Sequence, residues 1–123
     1  MKSTEPDLII LRIGENVQDS LVVKRDLKKH INSLIDYFAA KNADVKVVIA
    51  GSFWKKDQVD ATFKEVADYS GYAYLSLSFL SGDLSNTAYN RFTDLGIGSH
   101  PGDKGMSEIA GLIWSKIVEF SKK

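Results

Sequence analysis

The chain has 123 residues, 44% apolar and 26% charged, which suits one globular domain over residues 1–123 and leaves no room for two. Sixteen Lys and Arg balance sixteen Asp and Glu, so no net field draws the protein onto nucleic acid or an anionic membrane, and neither is an expected partner. The absence of cysteine excludes disulfides, thiolate metal ligands and a thiol nucleophile.

The opening stretch MKSTEPDLII carries one Lys, acidic residues and Pro6. It has no apolar run long enough for a signal peptide or a membrane span, so a soluble chain is expected, its compartment undetermined. From Asp7 to Ile13 the residues are almost continuously apolar and rich in β-branched types, as a strand covered on both faces requires, and Gly14 ends the run. From Ser20 to about Lys41, the residues Val23, Leu27, Ile31, Leu34 and Phe38 recur at helical spacing, predicting an amphipathic helix capped by Asp19 or Ser20.

Val45 to Ala50 repeats the buried-strand pattern and stops at Gly51. Asp57 is then placed to cap a second helix through Val59, Phe63, Val66 and Ala67 to Tyr69. Tyr72 to Leu77 reads as a third strand, whereas Ser78 to Gly102 has no convincing period. A connection that long in a compact domain is more often a functional loop than filler. A last helix is expected from about Asp103 through Met106, Ile109, Ala110, Ile113 and Ile117 to Phe120.

The order β-α-β-α-β-loop-α favours parallel strands with helices on both faces of the sheet. Ligands of such open sheets bind outside the carboxyl ends of the strands. Three segments fall there: Gly14 to Asn16, Gly51 to Trp54, and the long loop ending in His100.

In GSHPGDKGMSEIA, His100 precedes a proline and a helix and lies among glycines, which fixes its backbone and leaves its ring accessible, as a general base needs. A lone His-Pro in a surface loop more often does nothing. The whole segment, however, resembles the last block of the SGNH, or GDSL-type, hydrolases, close to D-x-x-H-P followed by x-x-x-G-x-x-x-I-A. His100, Pro101, Gly105, Ile109 and Ala110 match it.

The same family has a G-x-N after a strand, and Gly14-Glu-Asn16 matches in type and place. The resemblance implies that His100 activates a serine and that the Asn16 amide donates to the oxyanion of the tetrahedral intermediate. Such a preorganised donor is worth ~3–4 kcal/mol of barrier. On residues alone, Gly-x-Asn is also an ordinary turn.

The resemblance implies a three-layer α/β/α, flavodoxin-like sheet of SGNH-hydrolase type, truncated here to about three strands where the family has about five, ordered 2-1-3-4-5. The family's first strand, with G-D-S and the nucleophile, and the following glycine region have no counterpart before Asp7. The absent first strand would lie beside Asp7 to Ile13, so self-association or a further N-terminal segment is expected to cover that edge.

Asp19-Ser-Leu21 imitates the nucleophile block, but Gln18 stands where its glycine belongs and no later strand end offers a G-x-N. Helix capping accounts for Asp19 and Ser20. Ser52, in Gly51-Ser-Phe-Trp54, is the better internal rival and is read as a loop serine bonded to nearby backbone, with Phe53 and Trp54 walling the pocket. Gly14, Ser52 and Trp54 are therefore taken to shape the site.

Ile97 occupies the position where the family has the Asp that orients the histidine, and Asp94 or Asp103 could substitute only if the loop folds back. His30 is read as a helix-surface residue. Two distant histidines give no metal spacing, and the loop glycines lack a phosphate-loop pattern, so no metal or cofactor is expected.

The expected function is that of an ester hydrolase module for acyl or acetyl esters, those of carbohydrates included, inactive alone for lack of the serine. The alternative is a non-catalytic ligand- or carbohydrate-binding module using Trp54, Phe79 and Tyr89.

Overall fold

The computed structural model describes residues 6–89 and 98–121. Strands β1 (Leu8–Leu11), β2 (Lys46–Ala50) and β3 (Ala73–Leu75) form a parallel sheet in the order β1-β2-β3. Ile10 lies opposite Val48, and Val48 opposite Ala73. The outer strands are shorter than their apolar runs. The amide of Gly51, the next residue of β2, turns to the Leu75 carbonyl of β3 at 2.8 Å, and Arg12 and Ile13 leave the ladder.

Among the described residues, three helices cover the sheet: α1 (Leu27–Ala39), α2 (Asp57–Ser70) and α3 (Asp103–Ser121). Because side chains alternate along a strand, β2 supplies both cores. Val47 and Ile49 pack with Leu11 of β1 against Ile31 and Ile35 of α1 and Val59, Phe63 and Val66 of α2. On the other face Val48 and Ala50 pack with Leu75, Phe53, Leu77 and Leu80 beneath Ile109 of α3. The chain thus has α/β architecture, and the described helices lie two on one face and one on the other.

The first helix starts later than its pattern suggests. Residues Asp19–Leu21 form a single 3-10 turn, and Asp26, in the left-handed region at φ 51°, separates it from α1. Asp26, not Asp19 or Ser20, caps α1 by accepting from the Lys29 amide at 3.3 Å. Val23 consequently lies outside the helix, and it is 85% exposed.

The Asp19 carboxylate is engaged elsewhere, accepting from the Gln58 and Val59 amides at 2.8 Å each. It therefore caps α2 across the fold. Asp57 does not cap, because the N-cap position is Lys56 and no side chain of its own serves it.

The connection after β3 is partly ordered by local turns, at Ser78–Gly82 and Leu84–Asn86. Asn86 is buried and donates its side-chain amide to the Leu80 carbonyl at 3.0 Å. No helix among the described residues is long and apolar enough to cross a membrane.

Candidate active site

All three strands run the same way, so their carboxyl ends share one rim of the sheet, where the chain passes into Gly14, Gly51 and the connection after Leu75. Gly14–Asn16 is one 3-10 turn. Gly14 is buried so closely that a Cβ there would stand 2.7 Å from Phe63 Cε2 and 3.1 Å from Ser52 Oγ. The turn lies against α2 only because this residue has no side chain.

Lys56 then fixes the turn from outside. Its ammonium donates to the carbonyls of Gly14 at 3.1 Å, Glu15 at 2.5 Å and Val17 at 2.9 Å. The Gly14 carbonyl also accepts the Val17 amide within the turn, and the ammonium adds a charge-assisted bond to it and to the Glu15 and Val17 carbonyls. The neighbouring Glu15 carboxylate accepts from the Phe53 amide at 2.8 Å and from the Arg12 guanidinium at 3.2 Å. Asn16, on the outer side of this braced turn, is exposed.

The second strand end is buried. Ser52 is 0% exposed; its amide donates to Asp60 Oδ1 at 2.9 Å, and its hydroxyl has no hydrogen-bond partner among the described residues. The expectation that this hydroxyl bonds nearby backbone is thus corrected: the backbone amide of Ser52 is bonded, the hydroxyl is not. Beside it, burial pushes the Tyr74 hydroxyl up to about 12, with the Asp60 carboxylate adding to the shift.

Trp54 joins the second strand end to the third. Its ring packs edge-on against Phe53 at 5.3 Å between centroids, and its indole N–H donates to the Ser99 carbonyl at 2.5 Å. His100 follows directly and is exposed, with its own carbonyl accepting from the Ala88 amide at 2.9 Å. Thr87 and Pro101 form an antiparallel bridge, and Gly102 donates to the Asn86 carbonyl at 2.9 Å.

A Cβ on Gly105 would overlap that same Asn86 carbonyl oxygen. The glycine lets the first turn of α3 sit against the Asn86–Ala88 segment. His100 is therefore held between two fixed pieces of backbone.

No family model, curated protein or solved structure matches the chain. Its chemistry must be read from the geometry. The contact path Asn16, Glu15, Phe53, Trp54, Ser99, His100 is continuous along the rim, but no hydrogen bond joins Asn16 directly to His100.

Asp103 opens α3, while Asp94 and Ile97, which bear on how His100 is oriented, lie outside the described residues. Phe79 and Tyr89 are 62% and 53% exposed. His30 lies on an exposed part of α1. Among the described residues no group of three His, Asp or Glu side chains could hold a metal ion.

Glu15, Lys56 and Asp60 were not found from the sequence. Glu15 is the free position of Gly-x-Asn, and the other two act across distances of 39 to 42 residues and 8 residues respectively, with no periodic signal.

Proposed function

We propose that the chain is a module of an SGNH-type ester hydrolase with a flavodoxin-like sheet, acting on acyl or acetyl esters, those of carbohydrates included. His100 is the general base and Asn16 the oxyanion donor. The nucleophilic serine comes from a strand that docks beside β1. That serine attacks the ester carbonyl while His100 takes its proton, and the proton then passes to the leaving alcohol.

The observation that carries the reading is the bracing of two exposed polar residues at one rim: the Asn16 turn by Lys56 and Glu15, and the His100 segment by the Trp54 bond to Ser99. A fixed amide donor stabilises developing charge without reorganising during reaction. Ser52 does not compete for the nucleophile's role, because it is buried under the Gly14 turn.

The test has two arms. The 123-residue chain should show no hydrolysis of p-nitrophenyl acetate above background. If the coding DNA immediately upstream of Met1 encodes a strand followed by Gly-Asp-Ser, the longer protein should turn over. In that protein Asn16→Ala should lower kcat by ~10²–10³. Removing the base with His100→Ala should cost at least as much, about 10³ or more. Robust hydrolysis by the short chain that vanished in Ser52→Ala would overturn the reading.

A second reading is favoured by the exposed rings of Phe79 and Tyr89, which suit a sugar face. It requires carbohydrate binding without turnover, unaffected by His100→Ala.

A further inference from the structure

A cavity of about 340 Å³ lies between the Asn16 turn and the start of α1. Its polar lining is Asn16, Gln18, Arg25 and His30, and its apolar lining includes Leu21, Val22 and Leu27. None of its residues is acidic. The nearby carboxylates are engaged elsewhere: Asp19 on the amides of α2, Asp26 on the Lys29 amide and Glu15 on Phe53 and Arg12.

Arg25 contributes its backbone amide to the Leu21 carbonyl at 2.9 Å, but its guanidinium makes no hydrogen bond or ion pair among the described residues. The same holds for the Asn16, Gln18 and His30 side chains. A cleft with an apolar wall, several uncommitted donors and one permanent cation, and no opposing negative charge, selects for an anion with an apolar body.

We propose that this cleft binds a short-chain carboxylate, with the carboxylate paired to the Arg25 guanidinium and the hydrocarbon lying along Leu21 and Leu27. The cavity volume is at the lower end of the usual range for small-molecule sites, which limits the guest to a short chain. Arginine suits the head group because its planar fork matches a carboxylate with two parallel bonds. His30, Asn16 and Gln18 are within the same lining and complete the donor set.

Asn16 belongs both to this cleft and to the proposed oxyanion position. A bound carboxylate would therefore be of the same class as the acid product of acyl-ester cleavage. That link rests on the hydrolase reading; binding itself requires neither a serine nor turnover.

The experiment is a titration of the isotopically labelled 123-residue chain with hexanoate, hexanamide and hexylammonium, followed by NMR. Saturable shifts are expected at the Arg25 side-chain N–H, the His30 ring and the Asn16 and Gln18 amides for hexanoate, with hexanamide at least tenfold weaker and hexylammonium weaker still. Arg25→Gln, whose fold is checked by the rest of its spectrum, should weaken hexanoate at least tenfold and leave hexanamide unchanged.

Equal affinity for acid and amide would overturn the proposal, as would an unaffected Arg25→Gln variant or shifts confined to another surface. Absence of saturable shifts at hexanoate concentrations on the order of 10 mM would do the same. Any of these failures leaves the hydrolase reading standing, since that is tested by turnover in the longer protein.

Discussion

Tyr74 shows how one residue at the rim couples its surroundings to pH. Its hydroxyl stands 2.6 Å from where a Cβ on Gly51 would be, beside Asp60, and its ionisation is pushed up to about 12 from an ordinary value of 10.0. The folded state holds this proton more tightly than the unfolded chain does. The stabilisation is therefore complete below pH 10.0 and is lost as the pH rises toward about 12, because the unfolded chain ionises first. Discounted for the solvent that reaches a half-buried ring, the loss should be about 1–2 kcal/mol. Urea unfolding at pH 9 and pH 12 should show it in the wild type and a correspondingly smaller loss in Tyr74→Phe; equal losses in the two proteins would show that Tyr74 is not its source.

At the scale of elements, the contact between α3 and the His100 segment turns on Gly105, whose missing side chain makes room for the Asn86 carbonyl. Gly105→Ala would force these two backbones apart, and overpacking of this kind costs about 1–3 kcal/mol. The expected signature is local: faster hydrogen exchange at the Ala88 and Gly102 amides, which bond to His100 and Asn86, with the β2 amides little changed. Uniform acceleration across the sheet would mean that the glycine serves general stability instead. Gly105 was visible in the sequence as part of the motif around His100, but its reason for being glycine was not, because Asn86 is 19 positions away with no pattern linking them. The same division holds elsewhere. The buried run Val47–Ala50 and the apolar spacing of α2 were legible because burial repeats with the period of the element. The start of α1 was not, because helical spacing continues back through Val23 while Asp26 adopts a left-handed backbone. Asp19 is a good cap by type, and only the tertiary fold decides that it caps α2.

Across the whole molecule, the sheet is finished unevenly. Of the four residues of β1, Ile9 and Leu11 turn toward α1 and α2, while Leu8 and Ile10 on the opposite face are 38% and 44% exposed, and Ile13 beyond the strand is also 44% exposed. The third helix packs over β2 and β3, and among the described residues no strand neighbours the outer side of β1. An edge strand with apolar side chains and unpaired backbone groups is an association site unless it is covered. If the hydrolase reading holds, its natural cover is the strand that brings the serine; when the 123-residue chain is isolated, a second copy is the available substitute. Size-exclusion chromatography with light scattering at concentrations on the order of 10–100 µM should therefore show a dimer or a larger species. A lysine on the open face of β1, as in Ile10→Lys, should shift it to monomer without loss of helical circular dichroism, because this side chain lies outside both packed cores. A stable wild-type monomer with nothing bound would argue that β1 needs no cover, and would remove the structural reason for docking the proposed serine-bearing strand beside it.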